Sequence, residues 1–480
     1  MLIKRIVLLT LPVLLTGALF AQKPKGHNLK FKLDNYTEKS LVLGFYYGEK
    51  QFVKDTAEVD ASGIFTFAAD TLLPCGVYIL VLLPENTFIQ FLVPEDDQDF
   101  TMHADNKDAV QSMKVKGSED NAIFYDYLRY INEQRVLADT LRKQQAGSSP
   151  ADSVRLNSKL AEVDQSVKKY QQDLLKKHPN TLAAKMVRSA IEPDIPEFQG
   201  SEEDVRKLQY YWYRAHFFDN LSLSDPCLLR SPVMFPKVDA YVNKVVPQHP
   251  DSINVAIDSL LRDMSPSPEL YKYYLIHFLN YFAKSNIVGM DAVYVHIAQE
   301  YYCKGNANWA QKEDVEKICD NAVRLAPILI GKTAPNITVL DKNNQPHNLW
   351  DVDADYTVLF FWDPECSHCK KAAPSMVSFA EQYKDRGVKV FAVCTAVGEK
   401  GNDCWKSLEE KGFTDFLFLN YYDPYMKSRY KQLYDVRSTP QIFILDRKHE
   451  ILIKRIGAEQ LPQVMEEVMK FQAEKKSKGK

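Results

Sequence analysis

The chain has 480 residues, of which 45% are hydrophobic and 26% charged, with a formal net charge of −3. That length and apolar content suit about three globular domains and exclude a disordered or collagen-like chain. Such mild acidity leaves no basic footprint, so no nucleic-acid partner is expected.

The chain opens with a short basic stretch, Met1-Leu2-Ile3-Lys4-Arg5. An apolar run from Ile6 to Phe20 follows, and Ala18-Leu19-Phe20-Ala21 precedes Gln22. This pattern predicts a secretory signal peptide over 1–21, cut after Ala21. The run falls short of the about 20 residues of a comfortable membrane span. No cysteine stands at the cleavage site and no second long apolar run occurs, so no stable membrane anchor is expected. The mature protein should be soluble in an oxidising space, a bacterial periplasm. Loss of Lys4 and Arg5 moves its charge from −3 to −5.

Residues 22–110 read as an antiparallel β domain of sandwich or barrel type. Leu29–Leu33, Ser40–Tyr47 and Gly63–Phe67 alternate in polarity, Gly76–Pro84 and Thr87–Val93 add strands, and Asp60-Ala61-Ser62-Gly63 is a turn cluster. His103 and the run Glu95-Asp96-Asp97 are expected at the surface rather than as ligands.

Residues 111–327 read as all-α. Ser118-Glu119-Asp120-Asn121 caps a helix with Phe124, Leu128 and Ile131 on its apolar face. Leu156, Leu160, Val163, Val167, Tyr170 and Leu174 recur at coiled-coil spacing, and Ala146-Gly147-Ser148-Ser149-Pro150 lies between the two segments. They suggest an antiparallel hairpin packed within one chain. Thr181 and Asp251 suit N-cap positions. Tyr210-Tyr211-Trp212-Tyr213 with Phe217-Phe218 is expected to pack in the core, with an exposed peptide groove as the alternative.

Residues 328–480 carry the chemistry. An apolar strand, Val358 to Trp362, ends at a turn, and Cys366-Ser367-His368-Cys369 then places two thiols on the first turn of a helix. Unpaired amide N–H groups and the positive end of the helix dipole lower the pKa of the first cysteine. Cys366 is thus the expected nucleophile, and Cys369, on the same helix face, can close a disulfide with it. A zinc half-site or an inert disulfide would use the same thiols, but the strand–turn–helix setting favours redox chemistry. No bound metal is expected. A protonated His368 would further stabilise the thiolate and make the couple more oxidising.

The stretch Phe361-Trp362…Cys366-x-x-Cys369-Lys370…Pro374 resembles the thioredoxin superfamily. Arg437-Ser438-Thr439-Pro440 followed by the apolar strand Gln441–Asp446 resembles that family's cis-proline loop. Lys454-Arg455-Ile456-Gly457-Ala458 matches its strand-ending Gly-Ala. Gly331-Lys332-Thr333-Ala334-Pro335 through Asp341, with Leu349-Trp350, resembles the opening of the TlpA/ResA-like branch of periplasmic thiol–disulfide oxidoreductases. The resemblance covers about residues 328–472. It implies an α/β thioredoxin fold, no cofactor, protein thiols and disulfides as substrates, and a membrane or periplasmic redox partner. It further implies that Thr439 and Pro440 position the substrate strand and that Trp362 shapes the surface beside the sulfurs.

Asp363 stands where a peroxiredoxin needs threonine, and Lys370 where c-type haem attachment needs histidine, so neither activity is expected. Phe360 replaces the buried aspartate of thioredoxin. Glu399 and Glu409, in the insert after the strand Val388–Cys394, are candidate proton shuttles, because ResA-like relatives carry a glutamate in theirs. The regions ahead resemble two domains found in Bacteroidetes proteins of this architecture, DUF4369 for the β part and DUF5106 for the helical part. Neither brings an activity with it.

Six cysteines remain. Cys394 and Cys404 are expected as isolated thiols, with a disulfide between them as the alternative. Cys303 and Cys319 flank a turn that a disulfide could span. Cys75 and Cys227 have no evident partner. The function expected is protein disulfide exchange at Cys366 and Cys369. The alternative is a secreted binding protein whose thioredoxin fold is a scaffold.

Overall fold

The computed structural model describes residues 26–478, so the signal-peptide segment 1–21 lies outside the described residues. The chain divides into two compact units, residues 1–238 and 239–480, and the helical stretch is shared between them.

The first unit is built on eight strands: β1 His27–Asp34, β2 Ser40–Tyr47, β3 Lys50–Glu58, β4 Ile64–Ala69, β5 Gly76–Leu82, β6 Thr87–Val93, β7 Asp99–Asp105 and β8 Lys114–Lys116. They form two four-stranded sheets, ordered β4-β1-β7-β8 and β3-β2-β5-β6. All pairs are antiparallel except β1 with β7. Alternation places Leu29, Phe31 and Leu33 inward, and Phe31 packs on Phe67, Phe91 and Phe100. The strand β3 escapes sequence reading because it is an edge strand exposed along nearly its whole length, so its polarity does not alternate.

The helix Glu119–Gln145 closes the opposite edge of that sheet. Asn121 accepts from the Leu92 amide at 2.7 Å and donates to the Leu92 carbonyl at 2.7 Å, standing in for a neighbouring strand. Ser118 caps this helix, as expected. The helix Pro150–Lys177 folds back on it, with Leu156 and Val163 against Ala138 and Leu141, so the seam packs within one chain. Tyr130 and Tyr170 stack with ring centres 4.0 Å apart. Thr181 caps the helix Leu182–Ser189.

The aromatic cluster corrects an expectation. The helix Glu202–His216 buries none of its side chains and Tyr211 is 62% exposed. Only Phe217, just past its end, enters the core at 4%. Aromatic content marked a large surface, but the helix spreads those rings around its circumference and no single face is buried.

Cys75 and Cys227, without a partner in the sequence reading, form a disulfide across 152 residues. It ties the short helix Pro226–Leu229 to the head of β5. There the Val77 amide donates to the Arg230 carbonyl at 2.6 Å. Gly76 (φ 151°) permits this approach, since a Cβ would fall 2.3 Å from Cβ of Arg230. His103 pairs with Asp34 at 2.8 Å at the surface.

In the second unit, the helix Pro250–Met264 is capped by His249, with Pro250 at its first position, two residues earlier than the expected Asp251. Cys303 and Cys319 form a disulfide. The strands β9 Thr338–Leu340, β10 Pro346–Asn348, β11 Tyr356–Trp362, β12 Val388–Cys394, β13 Phe418–Tyr422, β14 Gln441–Asp446 and β15 Ile451–Lys454 form one sheet, ordered β10-β9-β13-β12-β11-β14-β15. β11 sits between β12, parallel, and β14, antiparallel. It is buried on both faces, hence its unbroken apolar run.

The Cys75–Cys227 loop is long enough that cross-linking it removes much unfolded-state entropy, about 5 kcal/mol in the chain-entropy model. Replacing both cysteines with serine in the full chain should lower the melting temperature of the first unit's transition by roughly 10–20 °C. An unchanged transition in calorimetry would show that the bridge carries no stability.

Candidate functional site

The two thiols lie where β11 ends. Trp362 is its last residue, Asp363 to Glu365 make the turn, and the helix Ser367–Tyr383 begins with Cys366 as its N-cap. A sulfur here occupies the place of a capping oxygen: the Cys369 amide donates to Cys366 Sγ at 3.3 Å. Pro374 interrupts the hydrogen-bond ladder inside the helix. Cys366 is half-buried, Cys369 is 1% exposed, and both are free thiols.

Facing them is the loop before β14. The Thr439–Pro440 peptide bond is cis, and Cys366 Sγ lies 3.1 Å from the Thr439 carbonyl oxygen. Register explains the meeting: Trp362 lies opposite Cys394, and Phe361 opposite Gln441, so the end of β11 and the start of β14 stand level.

The two thiols titrate in opposite directions. Burial pushes Cys366 up, but hydrogen bonds from Thr439, Cys369 and the His368 backbone outweigh it and hold the thiol below its ordinary value. Deeper burial dominates at Cys369 and pushes it up to about 12. Cys366 is therefore the group that ionises first.

Several expected residues sit otherwise than the sequence suggested. The His368 side chain is exposed, and what this residue offers the Cys366 sulfur is a backbone N–H, secondary to Thr439 and Cys369. Trp362, expected to shape the surface, is 1% exposed. It points with Val358 and Phe360 into the core that also receives Cys369, where it packs edge-on to Phe413 at 5.2 Å. It backs the buried sulfur from inside. Glu399 and Glu409 are both exposed, and the group found at Cys369 is instead the backbone N–H of Asp363. Asp363 also accepts from the Glu365 amide at 2.9 Å and from the Thr395 hydroxyl at 3.3 Å, which fixes the turn.

The sequence reading missed the insert's role. Cys394 and Cys404, expected as isolated thiols, are disulfide-bonded. The helix Gly401–Lys411 folds back onto β12 and buries Cys404 in the same core as Cys394, so both thiols share one dry site. Lys400 at its start pairs with Glu365 at 2.9 Å, immediately before the nucleophile. Among potential metal ligands, Cys75, Glu95 and Cys227 lie together, but their two sulfurs are consumed in a disulfide.

Comparison with known proteins agrees with this geometry. Residues 330–453 match the AhpC/TSA family. The sheet and helices of this C-terminal part have a thioredoxin-like arrangement, in agreement with that match. Residues 27–124 and 159–324 match DUF4369 and DUF5106, two domains of unknown function. The thiol-disulfide oxidoreductase ResA of Bacillus thuringiensis subsp. konkukian is 27% identical over 147 residues, which are 29% of this chain and 77% of that relative. ResA of Bacillus anthracis is 36% identical over 64 residues, 13% of this chain and 37% of the relative. Among solved structures, a domain of a possible thiol-disulfide isomerase from Cytophaga hutchinsonii is 33% identical. It covers 32% of this chain and 99% of its own, with a TM-score of 0.28. A thioredoxin-like protein from Bacteroides caccae is 20% identical over 58% of this chain and 97% of its own, with a TM-score of 0.43.

Because the other six cysteines are paired, alkylation reads the thioredoxin-like domain's two thiols alone. As pH falls through the pKa of Cys366, its thiolate is protonated and attack slows. A lowered pKa moves that loss to more acidic pH. The rate of iodoacetamide modification at Cys366 should therefore titrate with a midpoint below the ordinary thiol value of about 8.5. Cys369 should stay unmodified through that range, and a Cys366 midpoint at or above the ordinary value contradicts the geometry.

Proposed function

We propose that the chain exchanges thiols and disulfides with protein substrates, using Cys366 as nucleophile and Cys369 as resolving thiol. The Cys366 thiolate attacks one sulfur of a substrate disulfide. A mixed disulfide forms and the other substrate sulfur leaves as a thiolate. Cys369 gives up its proton and attacks Cys366 Sγ, closing the Cys366–Cys369 disulfide and releasing the second substrate thiol. The substrate gains two electrons and the protein loses them; the same steps run backwards oxidise a substrate dithiol.

The observation that carries this reading is the opposed pair of thiols: one half-exposed and capped by N–H groups, the other buried directly behind it. Thr439 and Pro440 hold the substrate strand beside Cys366, with the 3.1 Å approach of Cys366 Sγ to the Thr439 carbonyl in support. Cys369 loses its proton to solvent as it attacks, and the exposed Glu399 and Glu409 of the insert are candidate acceptors.

The work is done in an oxidising extracytoplasmic compartment, the periplasm. The basic-then-apolar N-terminus supports export, and three disulfides away from the active pair fit such a space. No helix among the described residues is long and apolar enough to cross a membrane.

Cys369→Ser should trap substrates on Cys366 as mixed disulfides that reductant releases, while Cys366→Ser should trap none. Non-reducing gels with mass spectrometry of the adducts decide it. Full biological activity of the Cys366→Ser, Cys369→Ser double variant would instead make the domain a scaffold.

A further inference from the structure

The loop that holds Cys366 has a second neighbour. Ser438 and Pro440, on either side of Thr439, line a cavity of about 570 Å³. Asp291 and Asn321, both from the helical part of the second unit, stand across it from Arg437 and Arg455. Arg437 Nη2 donates to Asn321 at 2.6 Å, so one guanidinium reaches from the cis-proline loop to the helical wall.

Two carboxylates, Asp291 and Asp435, and two guanidinium groups, Arg437 and Arg455, line this cavity, and Arg324 adds a third guanidinium from outside the lining. Asp435, 6% exposed, accepts from Arg437 Nε at 2.8 Å and from Arg455 Nη2 at 3.1 Å, with Arg324 Nε at 3.7 Å. One carboxylate thus faces three guanidinium groups. Asp291 is already matched by Lys454, which is 2% exposed. Glu459, exposed beside Gly457, is a further carboxylate outside the lining. Arg437 and Arg455 are 62% and 44% exposed, and the bonds to Asp435 and Asn321 use a minority of the five N–H donors on each fork. Asp435 (φ 47°) and Arg455 (φ 58°) both hold left-handed backbone, uncommon for such residues.

We propose that this cavity is a specificity site that takes an acidic side chain of the substrate segment whose disulfide Cys366 attacks. The inference rests on the oxidoreductase reading above. A segment laid along Thr439 has side chains alternating in direction, so residues near its cysteine fall over the cavity. Arg437 and Arg455 then offer planar forks that match a carboxylate in both geometry and charge. The substrate class is a protein with Asp or Glu close to the exchanged cysteine.

The test uses the reduced full-length protein and short cysteine peptides activated as neutral 2-pyridyl disulfides. The peptides carry Glu, Gln or Lys within three residues of the cysteine. Cys366 bonds to the peptide sulfur and expels 2-thiopyridone; Cys369 then displaces the peptide thiol, leaving protein disulfide. Second-order rates of 2-thiopyridone release should rank Glu above Gln above Lys. The Glu-to-Lys ratio should be about tenfold at low salt, as expected for two partly screened pairs. Raising ionic strength should shrink it, because the Debye length falls to about 3 Å at 1 M. R437Q and R455Q should each move the ratio toward one. Equal rates for the three peptides with the unaltered protein overturn the proposal and leave the oxidoreductase reading standing. Failure of every peptide to react overturns that reading and the inference with it.

Discussion

Everything at the site depends on the register of β11 between β12 and β14. That pairing brings Cys366 to the Thr439 carbonyl at 3.1 Å, although 73 residues separate them in the chain. A slip by one residue would turn Trp362 from the core toward the opposite face and carry the turn that follows with it. The register is protected because β11 is buried on both sides. Phe360 and Trp362 fill one core, while Phe361 lies against Tyr430, Tyr434 and Phe443 on the other face.

From that placement the electrostatics follow. A helix starting at Cys366 has N–H groups with no partner of their own, and a sulfur at the cap receives them. Three residues on, the same helix has turned its side chain into the core, where charge is disfavoured. A single turn of helix thus yields one thiol ready to ionise and one that resists. Stabilising the reduced nucleophile raises the potential of the couple above that of a pair whose nucleophile has an ordinary thiol pKa.

Much of this was legible in the sequence because it is local. The C-x-x-C after an apolar strand, the Thr-Pro before the next one and the cap at Ser118 each depend on a few neighbouring residues. What escaped is set by contacts between distant residues. Cys75 gives no hint of Cys227, because their bridge exists only once Pro226–Leu229 docks on β5. Cys394 and Cys404 looked separate because the second lies ten residues on, in the insert, and only the insert's fold-back buries both. His368 attracted attention for its side chain, while Thr439 and Cys369 lead the hydrogen bonds that stabilise the Cys366 sulfur and the His368 backbone N–H adds to them. Asp363, read only as a missing threonine, anchors the turn that aims both thiols. Arg437 and Arg455 sit on either side of two landmarks, yet nothing in their spacing revealed Asp435 between them.

The most direct test of the account is the reduction potential of Cys366–Cys369 in the full-length protein. Equilibration with glutathione buffers, acid quenching and mass spectrometry of the alkylated peptides would report this pair apart from the other bridges. The account predicts a reversible two-electron couple between about −270 mV, thioredoxin's value, and about −120 mV, DsbA's. A couple below about −300 mV, where structural disulfides lie, would contradict the stabilised thiolate, and the absence of any reversible couple would contradict the exchange chemistry itself.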